Sequence, residues 1–192
     1  MTRHPYEVPG WGVGEVWVRE GVLVQHELPS EELRREHEGA ATAAGPGDAA
    51  ADSFFSPNGG ARRPEGTLPP DPSPDSAGFV PDLCRRFAAH LGGIPTSYAD
   101  VELELDWATP LQHELAAAAR AIPWGEVVSY GELAALAGRP GAARAAGSFC
   151  ADNRFSLVIP CHRVVAANGI GGYGAAGPRL KRRLLALEGM RL

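Results

Sequence analysis

The sequence predicts a mixed α/β chain of the segregated (α+β) kind. It combines a small N-terminal sheet domain over residues 1–106 with a mainly helical C-terminal domain over 107–192 that carries a helix-turn-helix. Three observations lead there. Apolar and polar residues alternate through WGVGEVWVREGVLVQHEL (11–28), helix-capping signals crowd the chain after Thr109, and a long Pro/Gly/Ala-rich stretch separates the alternating segment from the helical one. Alternation with a period of two marks strands, and caps followed by apolar residues at three- and four-residue spacing mark helices.

Residues 11–28 read as a β-hairpin around the Glu20-Gly21 turn. From about Pro29 to Pro81 the pattern collapses into runs such as GAATAAGPGDAA and LPPDPSPDSAG, which hold too little apolar surface to offset the entropy of ordering them. This segment reads as a disordered insert at about 29–81. Order returns at Asp82–Leu91, where Leu83, Phe87 and Leu91 share one helical face. Val101, Leu103 and Leu105 then alternate with acids as a short strand. Thr109-Pro110-Leu111-Gln112 and Ser129-Tyr130-Gly131-Glu132 are capping boxes, each opening a helix. The second helix ends at Gly138, and Gly141–Cys150 supplies a small-residue partner. Two short helices about a glycine-containing turn make the helix-turn-helix signature. An apolar run (Leu157, Val158, Ile159) precedes Pro160-Cys161-His162-Arg163. The last helix starts at Pro178 and turns Leu180, Leu184 and Leu187 inward.

Composition narrows the function. No apolar run approaches the roughly 20 residues that span a bilayer, and the N-terminus lacks the apolar core of a signal peptide, so the expected location is cytoplasmic, with no membrane partner. Three cysteines cannot all pair within one chain and are read as free thiols, and the scattered histidines suggest no metal site. The net charge of −5 argues against a nucleic-acid partner until the chain is divided. Residues 109–192 carry ten Lys and Arg against five acids, a surplus of +5, which leaves −10 for residues 1–108. A polyanion would be met by the C-terminal part, although a solvated basic face accounts for the same charge.

Cys161 is the candidate nucleophile. A free thiol is only a few per cent thiolate at neutral pH and needs a neighbouring base or a positive field. His162 and Arg163 follow it at once, and the preceding strand-like run would hold the sulfur in place. On adjacency alone, a buried structural cysteine is the better reading.

The surrounding motifs reverse that balance. IPCHRVV (159–165), IPWGEVVSYGELAALAG (122–138), ARAAG (143–147), Asn153, NGIGGYGAAG (168–177) and LKRRLLALEG (180–189) together resemble the O6-alkylguanine-DNA alkyltransferases, or methylated-DNA–protein-cysteine methyltransferases. The resemblance is dense over 107–191 and thinner before it. It implies transfer of an alkyl group from O6-methylguanine in double-stranded DNA to Cys161, once per molecule, with O4-methylthymine as a further substrate candidate. No cofactor or obligate protein partner is implied, and the protein would act as a monomer.

Position by position, the resemblance implies that Cys161 accepts the alkyl group and that His162 acts on it through a water. Glu188 would fix the tautomer of His162, and Asn153 would tie the helix pair to the active-site turn. Tyr130 would press on the phosphate beside the target base and Arg144 would fill the gap left when the base is rotated out. Ala142, Ala143, Ala145, Ala146 and Gly147 would let their helix lie close in the minor groove, and Arg163 would add a DNA contact. Tyr173, Gly174, Val164 and Ser156 would line the base pocket, with Cys150 a core filler. Outside the motif, Arg144 reads as a plain exposed arginine and Glu188 as a surface acid set against its helix dipole.

The sequence departs from the family at Arg154, where proline is usual, and at Gly174, where several members carry a hydroxyl. The first suggests a looser hinge and an added phosphate contact; at the second a backbone N–H still serves as donor. An alkyltransferase-like lesion binder without transfer activity is the alternative, opposed by Cys161 itself. A major-groove transcription regulator is opposed by the alanines around Arg144, which read no bases. A thiol hydrolase or redox protein is opposed by the lack of a CxxC pair.

Overall fold

The computed structural model describes residues 1–33, 35 and 76–191. Most of the insert read at 29–81, with its Phe54-Phe55 pair, lies outside the described residues.

Three antiparallel strands, β1 (Thr2–Val8), β2 (Gly12–Arg19) and β3 (Val22–Ser30), form the N-terminal sheet in the order β1-β2-β3. Glu20 (φ 51°) and Gly21 (φ 83°) both sit in the left-handed region, the requirement of the tight hairpin turn read from the sequence. The sequence reading missed β1. Its Pro5 disguises it, but β1 is an edge strand, where a residue without an N–H is tolerated, and it buries Tyr6 and Val8.

Helix α1 (Ser76–Leu91) covers this sheet and begins before Pro81 rather than after it. Leu83, Phe87 and Leu91 point into the core, as expected. The strand expected around Val101–Leu105 is reduced to one bridge, in which Leu23 donates to the Glu102 carbonyl and accepts from the Glu104 N–H. The alternation was real, since Val101 is buried and Leu103 and Leu105 pack on the core, but the segment pairs at a single residue.

The C-terminal part contains α2 (Pro110–Arg120), α3 (Tyr130–Leu136), α4 (Ala143–Ala151) and α5 (Gly177–Leu187). Both capping boxes form: Thr109 and Ser129 accept from the backbone of Gln112 and Glu132, whose side chains bond back. Helices α3 and α4 pack together after the Gly138 turn (φ 73°). A two-residue parallel pair, β4 (Val128–Ser129) with β5 (Val164–Val165), joins the cap of α3 to the segment after Cys161.

One histidine fastens the halves. His26 of β3 donates from Nδ1 to the Ser156 carbonyl at 2.7 Å, so its Nε2 accepts from Tyr6 Oη at 2.5 Å. The ring stacks on Phe87 at 3.7 Å, and the His26 N–H donates to the Arg154 carbonyl.

Candidate active site

The segment holding Cys161 is shaped by its neighbours. The Leu157–Ile159 run is not the strand expected; it turns, with Leu157 at φ 68° and almost wholly buried. Cys161–Arg163 then form one turn of 3₁₀ helix. Asn153, just after α4, staples this turn: its side-chain N–H donates to the Ile159 carbonyl at 2.9 Å, and its Oδ1 accepts from the Phe155 N–H at 2.9 Å. The helix pair and the nucleophile are thereby held by one amide.

Cys161 is 1% exposed and belongs to the core, with Cys150, Lys181 and Asn153 near enough to act on its thiol. The adjacent Cys150 thiol, and then burial, push the Cys161 thiol well above its ordinary range, while Lys181 and Asn153 pull the other way. The resting group is therefore a thiol, not the thiolate that an activated nucleophile suggests, and its proton must leave as the sulfur reacts. Cys150 fills core, as expected, but also faces the reactive sulfur and lines the cavity described below.

His162 sits beside it with no solvent exposure. Its Nε2 lies 2.8 Å from Glu188 Oε1. Burial favours a neutral Glu188, but hydrogen bonds from His162 and Arg163, with His90 close by, hold the carboxyl well below its usual range, so it is ionised and can only accept. His162 therefore carries its proton on Nε2, which leaves Nδ1 as a buried lone pair with no protein partner. Burial lowers the His162 pKa to about 4 despite Glu188, so the ring is neutral and able to take a proton.

Arg163 contradicts its sequence reading. Its guanidinium is buried, bonds Glu188 through Nε and Nη2 at 2.9 to 3.1 Å, and donates from Nη1 to the Ile122 carbonyl at 2.7 Å. Buried as it is, Arg163 organises the carboxylate instead of presenting its guanidinium to DNA. The Gly125 N–H adds a bond to Glu188 Oε2 at 3.0 Å. His90, His162 and Glu188 place ligand atoms within 4.8 Å of one another. The arginine on the same carboxylate opposes a dication there, and Oε1 already accepts from three N–H groups of His162 and Arg163, so a hydrogen-bond network fits these residues better than a metal.

A cavity of about 650 Å³ opens beside Cys150 and Asn153, with Ser156, Tyr173 and Gly174 on one wall and the end of β3 on the other. Val164, expected there, is instead fully buried in the core, because β5 turns its side chain away. The Tyr173 hydroxyl is buried without a partner, and burial, with Cys161 close by, pushes its pKa up, so it remains a donor. Tyr130 opens α3 half-buried; burial and the two thiols Cys150 and Cys161 raise its pKa too. Arg144 is exposed in the first turn of α4, with no ion pair among the described residues. Ala142, Ala143, Ala145 and Gly147 are partly open beside it, whereas Ala146 is buried in the core and cannot meet a groove. Arg154 lies over the Trp107 ring at 4.9 Å.

Sequence reasoning missed Lys181. Its Nζ crosses between the Val164 carbonyl at 2.5 Å and the Gly172 carbonyl at 3.0 Å, tying the active-site segment to the loop at 168–177. The signal was present: Lys181, Leu184, Leu185 and Glu188 share the most buried face at helical spacing, and the expected Leu180 and Leu187 pack against the core at its edges.

Fold and site together define a protein with one buried cysteine thiol, tied to a helix pair through Asn153 and followed in the chain by a His–Glu–Arg network. Residues 110–190 match the family model of the 6-O-methylguanine DNA methyltransferase DNA-binding domain. The methylated-DNA–protein-cysteine methyltransferase of Salmonella typhimurium is 54% identical over 82 residues, 42% of this chain and 47% of its own length, so the chain spans about half of that relative. The enzyme of that name from Mycobacterium tuberculosis is 45% identical over 120 residues, 62% of this chain and 68% of its own. The crystal structure of Mycobacterium tuberculosis OGT in complex with DNA superposes with a TM-score of 0.64 at 29% identity, covering 97% of this chain and 91% of that one. The chain belongs to the methylated-DNA–protein-cysteine methyltransferase family.

Proposed function

We propose that the protein repairs DNA in the cytoplasm by moving the alkyl group of O6-methylguanine to Cys161, once per molecule, without a cofactor or an obligate protein partner. The observation that carries this reading is a buried Cys161 directly followed by a neutral His162, whose Nε2 is taken by Glu188 and whose buried Nδ1 is left without a partner.

In duplex DNA the O6 atom is out of a thiol's reach, so the base must be rotated out of the stack. Helices α3 and α4 act as the helix-turn-helix that enters the minor groove, with Arg144 filling the gap and the open residues Ala142, Ala143, Ala145 and Gly147 allowing close approach. Tyr130 opens α3 with its ring beside Lys181 and its hydroxyl within reach of the charge on Cys150 and Cys161. Ser156, Tyr173 and Gly174 border the cavity that receives the base.

The sulfur attacks the alkyl carbon as the carbon–O6 bond breaks, and that bond's electron pair stays on the guanine. The thiol proton passes through a water to His162 Nδ1, and the imidazolium is held by Glu188. The departing base takes a proton or hydrogen bond from Tyr130 or from the unpartnered Tyr173 hydroxyl. Net, one thiol proton replaces one alkyl group on the base. The product thioether has no neighbour able to reverse it.

The test is methyl transfer from duplex DNA carrying labelled O6-methylguanine. One methyl per protein is expected on the Cys161 peptide by mass, and none with Cys161→Ala. Binding of the lesion with an unmodified peptide would instead support the lesion-binding alternative. Label retained by Cys161→Ala would eliminate this mechanism.

A further inference from the structure

Glu188 meets two imidazoles, and the proposed transfer uses only one. The second, His90, sits in the last turn of α1, within the N-terminal part, and has no solvent exposure. Its Nε2 is buried without a hydrogen-bond partner and lies 3.5 Å from Glu188 Oε1, the oxygen that receives His162 Nε2 at 2.8 Å. The two rings stand edge to face at 5.8 Å, and the Trp124 ring holds His90 from another side at 4.7 Å. On the far side, His90 Nδ1 lies 3.3 Å from Tyr98 Oη.

We propose that His90 is a positioning residue of the transfer site: its otherwise unpartnered Nε2–H points its dipole at Glu188 across 3.5 Å, and so sets how tightly His162 holds a proton. The proposal rests on the reading of Cys161 as alkyl acceptor. Two tautomers are open to His90. With the proton on Nδ1, that nitrogen donates to Tyr98, the tyrosine donates to the Arg86 carbonyl at 3.3 Å, and the bare Nε2 faces an ionised carboxylate across a dry gap. With the proton on Nε2, it faces Glu188 as a donor while Tyr98 donates to Nδ1. The Arg86 carbonyl loses nothing essential, because it lies inside α1 and receives the helical N–H four residues on. Two acceptors facing each other in a buried site are costly, so the Nε2–H form prevails.

The groups around the ring agree. Glu188 favours a proton on Nε2, Arg163 and His26 oppose a full positive charge on His90, and burial keeps the ring neutral; Tyr98, whose own pKa burial raises, stays a donor. Each further donor on Glu188 weakens the pull of the carboxylate on His162. A neutral His90 therefore keeps His162 deprotonated, and competent as a base, to lower pH. By this route α1 of the sheet domain takes part in the chemistry of the helical one.

Two measurements on the full chain decide it. Nitrogen-15 NMR of the unalkylated protein reads the tautomer without any transfer: a protonated Nε2 and a bare Nδ1 are expected on His90, and the reverse pattern overturns the proposal. The pH dependence of single-turnover transfer is the second. His90→Phe, which keeps the packing and removes the donor, is expected to move the acid limb upward by about one pH unit, whereas His90→Gln, which can still donate to Glu188, holds the wild-type limb. Equal limbs in all three proteins would show His90 to be mere packing. A wild type that transfers no alkyl group would sink the proposed function, while the NMR result would still judge the His90–Glu188 contact. Should His90→Phe fail to fold, the tautomer measurement alone decides.

Discussion

Single atoms set the behaviour of this site. Glu188 receives Arg163, His162 and the Gly125 N–H, and Lys181 Nζ bridges two carbonyls from segments that would otherwise be joined only through the chain. Removing that ammonium leaves the buried Val164 carbonyl short of this donor and frees the more open Gly172 carbonyl. Lys181→Met keeps most of the stem and deletes the bridge. It is expected to cost about 1–3 kcal/mol in urea unfolding and to slow transfer, as the loop bearing Tyr173 loses its tether; unchanged stability and rate would dismiss the bridge as incidental. The charged residues were also where reading the sequence was hardest. Arg163 beside a reactive cysteine resembles a phosphate ligand, and only the fold reveals that Glu188, far along the chain, has claimed it. His90 sat three residues beyond Phe87 on an evidently inward face, yet one histidine among apolar neighbours gives no sign of which carboxylate it will meet.

At the level of helices and strands, punctuation was the legible part. Both capping boxes, the hairpin turn and the Gly138 stop are local chemistry, settled by residues within a few positions of one another. What depends on distant partners was misread: β1, whose proline hides an edge strand; the single bridge at Leu103; and the turn at Leu157–Ile159, where an apolar run imitates a strand. Ser129 shows why a cap reaches beyond its own helix. It accepts from the Glu132 N–H at 3.1 Å and also belongs to β4, paired with Val165 just past Cys161. Ser129→Ala should therefore destabilise the protein by about 1 kcal/mol and also slow transfer, since Tyr130 follows the cap directly. A variant equally unstable but with the wild-type rate would confine the cap to folding.

Across the whole molecule, acid is the weak side. Burial depresses the pKa of His26 from 6.5 to about 3 and that of His162 to about 4, so both bind protons more readily once unfolded. Their contribution is intact above pH 6.5 and is lost as pH falls towards those folded values. The depressed Glu188 acts in the same direction, at pH values below the ordinary carboxylate range. Each histidine can contribute at most about 1.4 kcal/mol per pH unit within its window. His26→Gln removes one of these titrations. Its urea midpoint should fall less steeply between pH 6.5 and 4 than that of the wild type, although it starts lower at neutral pH for want of the Tyr6 and Ser156 bonds. Parallel slopes would show that His26 does not govern the acid limb of stability.

Leu157 has a consequence of its own. A branched side chain in the left-handed region is intrinsically unfavourable by roughly 1–2 kcal/mol, and the turn is closed around it by the Ile159 N–H to Phe155 carbonyl bond and the Asn153 staple. Further grip comes from the hydrocarbon packed around it, since Leu157 is 1% exposed. The bend that aims the sulfur is thus a sprung joint clamped from outside. Slackening the clamp, by trimming a neighbouring apolar side chain, would let the joint relax towards ordinary geometry and turn the thiol off target in a molecule that is still folded.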